Sequence, residues 1–121
     1  MKMKYKSVKN LVILAFVILA PMSVLGEVQH THEIVVLKDT FRFSPEVLHV
    51  VAGDNVRWVN HDTRKHQFAS VPGSGPTDEL EFLCDEVNPE QTCDHTFKSS
   101  GEYPYFCFIH QQMLGLVVVG K

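Results

Sequence analysis

Basic side chains are scarce in most of this chain. Beyond residue 26 there are only seven Lys and Arg against fourteen Asp and Glu, a net charge of −7 with neutral histidines, whereas the whole 121-residue sequence sums to −3. That balance excludes a generic nucleic-acid binder, which would carry a basic face. It suits a protein that meets positively charged partners. Long apolar runs are missing as well. The one uninterrupted stretch, Leu11 to Ala20, is closed by Pro21 and falls short of the roughly 20 residues that a spanning helix needs. No amphipathic helix of useful length, internal repeat or low-complexity block is visible. No base and nucleophile stand together in a way that points to catalysis. Cysteine is sparse and odd in number: Cys84, Cys93 and Cys107.

What is there begins with a leader pattern. Lys2, Lys4, Lys6 and Lys9 form a positive n-region, Leu11 to Ala20 an apolar h-region, and Val24-Leu25-Gly26 a tolerable cleavage site. Residues 1–26 are therefore expected to be a secretory signal peptide and residues 27–121 the mature domain. No cysteine follows the h-region at a lipid-attachment position, so the mature protein is expected to be exported, soluble, periplasmic and not membrane-anchored. In such an oxidising compartment, if Cys107 serves elsewhere, Cys84 and Cys93 make one candidate disulfide.

The mature part reads as short β-rich runs between turn residues. Glu33 to Leu37, Phe41-Arg42-Phe43, Val47 to Val51 and Val56 to Val59 are candidate strands, with Trp58 in the core. A polar loop, Asn60 to Lys65, leads to His66-Gln67-Phe68, and Val71 to Thr77 is a long turn. Thr92 to Lys98 and Tyr103 to Cys107 look like a strand pair joined by Ser99-Ser100-Gly101, and Leu114 to Val119 closes the chain. Only paired sheets would bury so many short apolar runs, so the expected fold is an all-β, two-sheet Greek-key β-sandwich.

The most constraining run is Cys107-Phe108-Ile109-His110-Gln111-Gln112-Met113. A thiolate, an imidazole and a thioether in one short loop can converge on one ion, and one further histidine would complete the His₂Cys plane with a long axial Met of an electron-transfer copper site. His66 suits that place because it follows the Trp58 strand and the Asn60 loop; His61 is its competitor. Each residue alone has a plainer reading: Met113 as core filler, Cys107 as an inert buried thiol. The combination carries the signal.

The stretch from Val47 to Val119 resembles a cupredoxin, on the amicyanin and plastocyanin branch. The resemblance rests on Gly53-Asp54-Asn55-Val56-Arg57-Trp58-Val59-Asn60, on His66, on Gly101-Glu102-Tyr103-Pro104-Tyr105-Phe106-Cys107, and on His110 with Met113. The short Cys-His-Met loop is more like amicyanin than plastocyanin. It implies a Greek-key sandwich with one type 1 copper, with His66, Cys107 and His110 equatorial and Met113 axial. It also favours His66 over His61. The implied role is single-electron transport, not enzymatic turnover, between redox protein partners such as a c-type cytochrome or a periplasmic oxidoreductase, by a monomer. A copper-delivery protein using the same ligands is the alternative. This chain departs from its relatives at Lys65 and Gln111, where proline is frequent, and at Gln67, where an asparagine usually latches the two ligand loops; the groups around the ligands are thus where it differs.

The remaining features are secondary. His30-Thr31-His32 is expected to lie in a flexible polar N-terminus, and His49 and His95 on the surface. Seven histidines are too few for a multicopper oxidase, and one cysteine in the ligand loop is too few for a binuclear centre. Phe108, Ile109 and Leu114 flank His110 and are either an exposed apolar patch or core. The acidic run from Asp78 to Asp94 is either a steering surface for a basic partner or a solvated loop.

Overall fold

The computed structural model describes residues 13–21 and 26–121, so most of the segment read as a leader lies outside it. Among the described residues there is no helix, and none long and apolar enough to cross a membrane. The strands are β1 Thr31–Leu37, β2 Arg42–Ser44, β3 Val47–Val51, β4 Asn55–Asn60, β5 His66–Ser70, β6 Leu83–Val87, β7 Thr92–Thr96, β8 Gly101–Cys107 and β9 Leu114–Gly120. They form two sheets, ordered β2-β1-β4-β7 and β3-β9-β8-β5-β6. Two pairs are parallel, β1 with β4 and β3 with β9, and the others are antiparallel. The expected Greek-key sandwich is the fold observed.

Period-two alternation builds the layers. In β4, Val56, Trp58 and Asn60 point inward; in β8, Tyr103, Tyr105 and Cys107; in β9, Gly115, Val117 and Val119. The inward faces meet in an aromatic core. Trp58 stacks on Phe82 at 4.6 Å between ring centres, and Phe68, Phe97 and Tyr105 pack around it. Gly115 is required here, because a Cβ at that position would overlap the Tyr105 ring.

Four local readings need correction. Residues 92–98 and 103–107 do not form a hairpin: β7 pairs with β4 in one sheet and β8 with β5 and β9 in the other, so the chain crosses the sandwich between them. Leu83–Val87 is a strand despite its two acidic residues, because it is an edge whose Asp85 and Glu86 face solvent. His32 lies within β1 instead of a loose terminus, and its Nε2 is 2.9 Å from buried Asp54. That hydrogen bond is the main cause holding the Asp54 carboxyl below the usual carboxylate range, with burial opposing it. His95 is also half-buried, bonded to Glu81 at 2.9 Å, while His49 is exposed as expected.

The disulfide joins Cys84 in β6 to Cys93 in β7, so it ties the free edge of one sheet to the free edge of the other. Its two cysteines are nine residues apart in sequence. Constraint of a loop of that size in the unfolded chain stabilises by about 2–3 kcal/mol. Replacing both cysteines with alanine is expected to lower the unfolding free energy by about that amount in urea titration, and a loss under about 1 kcal/mol would contradict the bridge as a closure of the sandwich.

Candidate metal centre

Two neighbouring strands, β5 and β8, bring the donor atoms together. Phe68 of β5 pairs with Cys107 at the end of β8, which sets His66 and Cys107 at the same end of the sheet. The 108–113 turn then folds on itself: the Met113 amide donates to the His110 carbonyl (2.9 Å), and the Cys107 amide to the Met113 carbonyl (3.1 Å). The Phe108 amide donates to the Gln67 carbonyl at 2.8 Å, which fastens the turn to β5. The latch between ligand loops is therefore backbone, whereas the Gln67 side-chain amide turns away to Asp85 at 2.6 Å.

His66 Nδ1 lies 3.7 Å and His110 Nδ1 4.0 Å from the Cys107 thiol sulfur. His66 and Cys107 are buried and His110 is half-exposed. Metal–donor bonds of about 2.0–2.3 Å in a trigonal plane place the donors about 3.5–4 Å apart. These spacings therefore fit a single ion held by two imidazole nitrogens and one sulfur. Met113 is fully buried at the end of the same turn. His61, the competing histidine, is exposed and lies beside Glu90 at 3.2 Å, outside the cluster. Among the described residues no other grouping of His, Cys, Asp and Glu has this closeness.

One group essential to this geometry escaped the sequence reading. Asp62 Oδ2 accepts a hydrogen bond from His66 Nε2 at 2.8 Å, with both side chains wholly buried. The donor must be Nε2, which leaves the Nδ1 lone pair directed at the thiol. Asp62 Oδ1 also accepts from the Thr63 amide (2.7 Å) and the Asp39 amide (3.3 Å). Burial acts to raise the Asp62 pKa, but the hydrogen bonds from His66, Asp39 and Thr63 outweigh it and hold the carboxyl below its usual range. Asn60, also buried, shapes the loop by donating to the carbonyls of Arg64 and Val87 and accepting from the Asp62 amide. The available signal was a carboxylate four residues before a candidate ligand, a spacing suited to orient an imidazole from behind. Burial is the main cause that shifts the His110 pKa down, a direction that favours the neutral imidazole a metal requires.

The family model of a cupredoxin-like domain matches residues 10–119. The chain belongs to the cupredoxin-like family. This cupredoxin is 37% identical to amicyanin of Paracoccus denitrificans over 76 residues, which cover 63% of the chain and 56% of that protein. It is 34% identical to chloroplastic plastocyanin of Tetradesmus obliquus over 84 residues, covering 64% and 57%. The chain thus spans just over half the length of these curated relatives. Among solved structures, a reduced amicyanin variant superposes with a TM-score of 0.67 at 28% identity, covering 74% of this chain and 82% of that one. A purple cupredoxin from Nitrosopumilus maritimus gives 0.64 at 25% identity, covering 73% and 98%.

The lowered Asp62 pKa has a pH signature. A carboxyl whose folded pKa lies below its unfolded value adds stability that is present above the unfolded pKa and lost as pH falls through the folded one. The metal-free protein is therefore expected to lose stability below about pH 4. Asp62→Asn should be less stable at pH 7 and show a flatter acid limb in urea midpoints measured across pH. Parallel acid limbs for the two proteins would refute the assignment.

Proposed function

We propose that this cupredoxin is a one-electron carrier with a single copper ion held by His66, Cys107, His110 and Met113. The observation that supports it most is the convergence of two imidazole nitrogens and one thiol sulfur, 3.7 and 4.0 Å apart, at a buried sheet end. Copper on such a donor set supplies a Cu(II)/Cu(I) couple, with soft sulfur favouring one state and imidazole accommodating the other. The chain's part is to hold the donors still. His66 is fixed from behind by Asp62, and Cys107 and His110 are fixed by the self-bonded turn. Donors that cannot relax favour neither oxidation state strongly, so an electron arrives and leaves with little rearrangement.

The surroundings support exchange with proteins. Phe108, Ile109 and Leu114 are 41%, 47% and 59% exposed beside His110, an apolar face through which a redox partner can approach. The acidic side chains of the β6 edge and the loop before it suit a partner of positive charge, such as a c-type cytochrome. Export as a soluble periplasmic monomer, with residues 1–26 removed, completes the proposal. No substrate turnover is assigned.

The test is the visible spectrum of residues 27–121 loaded with Cu(II). An intense thiolate-to-copper charge-transfer band that bleaches reversibly on reduction is expected. Cys107→Ser should abolish that band with the β-sheet circular dichroism intact, and Met113→Leu should keep a band while raising the reduction potential, because an axial donor is lost. A colourless protein that binds copper weakly would overturn electron transfer and point to copper handling.

A further inference from the structure

The turn between β1 and β2 contains the least comfortable backbone near the centre. Phe41 has φ +51°, and Asp39, two residues earlier, has φ +56°. An aspartate tolerates the left-handed region, whereas a bulky aromatic residue there is a true outlier. Backbone strain of this kind persists only where the surroundings over-determine it, and it concentrates at ligand clamps. Here those surroundings are visible. The Asp39 amide is bonded to Asp62, the Arg64 Nη1 donates to Asp39 Oδ1 at 3.3 Å, and the Thr40 hydroxyl donates to the Leu37 carbonyl at 3.2 Å.

The result is a specific placement of the Phe41 ring. Its centre is 4.7 Å from that of the His110 imidazole, tilted by 49°, and the Arg64 guanidinium lies 5.2 Å from the centre of the same ring. A groove of about 430 Å³ runs along this side, lined by Phe41, Arg42, Gln112 and Leu114 among others, but His110 does not line it. Phe41 thus both lines the groove and packs against the imidazole. The imidazole is also the only one of the two without a buried carboxylate behind it, so the ring and the turn are what confine it.

We propose that Phe41 is a lid on the loop-histidine side of the centre. By pinning His110 against its turn, the ring opposes the swing that would open Cys107 and release a bound ion. Phe41 is a positioning residue, acting through His110. The retention part of this inference rests on the copper reading above; the shielding of Cys107 does not.

The test separates ring from backbone. Phe41→Gly suits the positive φ and removes only the ring, Phe41→Ala removes the ring and keeps the strain, and Phe41→Tyr keeps the ring. In the metal-free protein, iodoacetamide alkylation of Cys107, the sole free thiol, is read by mass spectrometry. In the copper-loaded protein, Cu(I) loss to a high-affinity chelator is read by absorbance. Gly and Ala variants are expected to be alkylated about three- to tenfold faster, with the Tyr variant like wild type. Copper loss should rise about tenfold in the same two variants. The Gly variant should keep a urea midpoint nearer wild type than the Ala variant, showing that the ring and not a broken turn is responsible. Should the Gly variant fail to fold, Phe41→Asn takes its place, since asparagine also enters the left-handed region readily. Wild-type alkylation in a folded ring-less variant overturns the lid. Faster alkylation in a protein whose wild type holds no copper supports the lid and sinks the copper reading instead.

Discussion

A buried carboxylate facing a buried imidazole organises the functional end of this molecule. Asp62 and His66 meet at 2.8 Å with no solvent contact. An ionised group so placed is costly unless every lone pair is answered. Asp62 is answered by His66, Thr63 and Asp39. That satisfaction makes the loop stiff, selects the His66 tautomer, and attaches the β1–β2 turn to the ligand end. Through the same turn Phe41 reaches His110. Both histidines of the centre are thus positioned from one point, His66 directly and His110 through a strained backbone and an aromatic ring.

The sandwich supplies the frame for this arrangement. β5, β8 and β9 are adjacent in one sheet, so the ends that carry His66 and Cys107 are neighbours by hydrogen bonding before any metal is considered. A rigid sheet with a short self-bonded turn makes a poor site for anything that must change coordination, and a good one for a reaction that changes only charge. The disulfide reinforces the same frame at the far edge of β5's neighbour, where the two sheets would otherwise be free to part. Hydrogen bonds surround the donors, while the apolar face at Phe108, Ile109 and Leu114 remains open.

Much of this was legible in the sequence because it depends on local spacing. Alternation in Val56-Arg57-Trp58-Val59 marked β4, and three soft or borderline donors within one turn marked the centre. The errors have physical causes. A hairpin between β7 and β8 was expected because Ser99-Ser100-Gly101 is good turn chemistry, but the same residues serve equally in a link that crosses between sheets. β6 was hidden because an edge strand with acidic residues on its open side lacks the apolar signature of a buried one. His32 looked like part of a loose terminus and His95 like a surface residue because their partners, Asp54 and Glu81, are brought to them only by folding.

The sequence by itself determined the fold class, the identity of the candidate donors and the likeness to cupredoxins, since each follows from residue type and near-neighbour spacing. Only the tertiary structure decided which outer groups hold those donors. Gln67 turns to Asp85 while its carbonyl latches Phe108, Asp62 seats His66, and Phe41 covers His110. Those contacts depend on side-chain direction and on the approach of the β1–β2 turn to the Asn60–His66 loop, more than twenty residues away in sequence. Spacing along a chain encodes what donors are available; packing in three dimensions decides what keeps them in place.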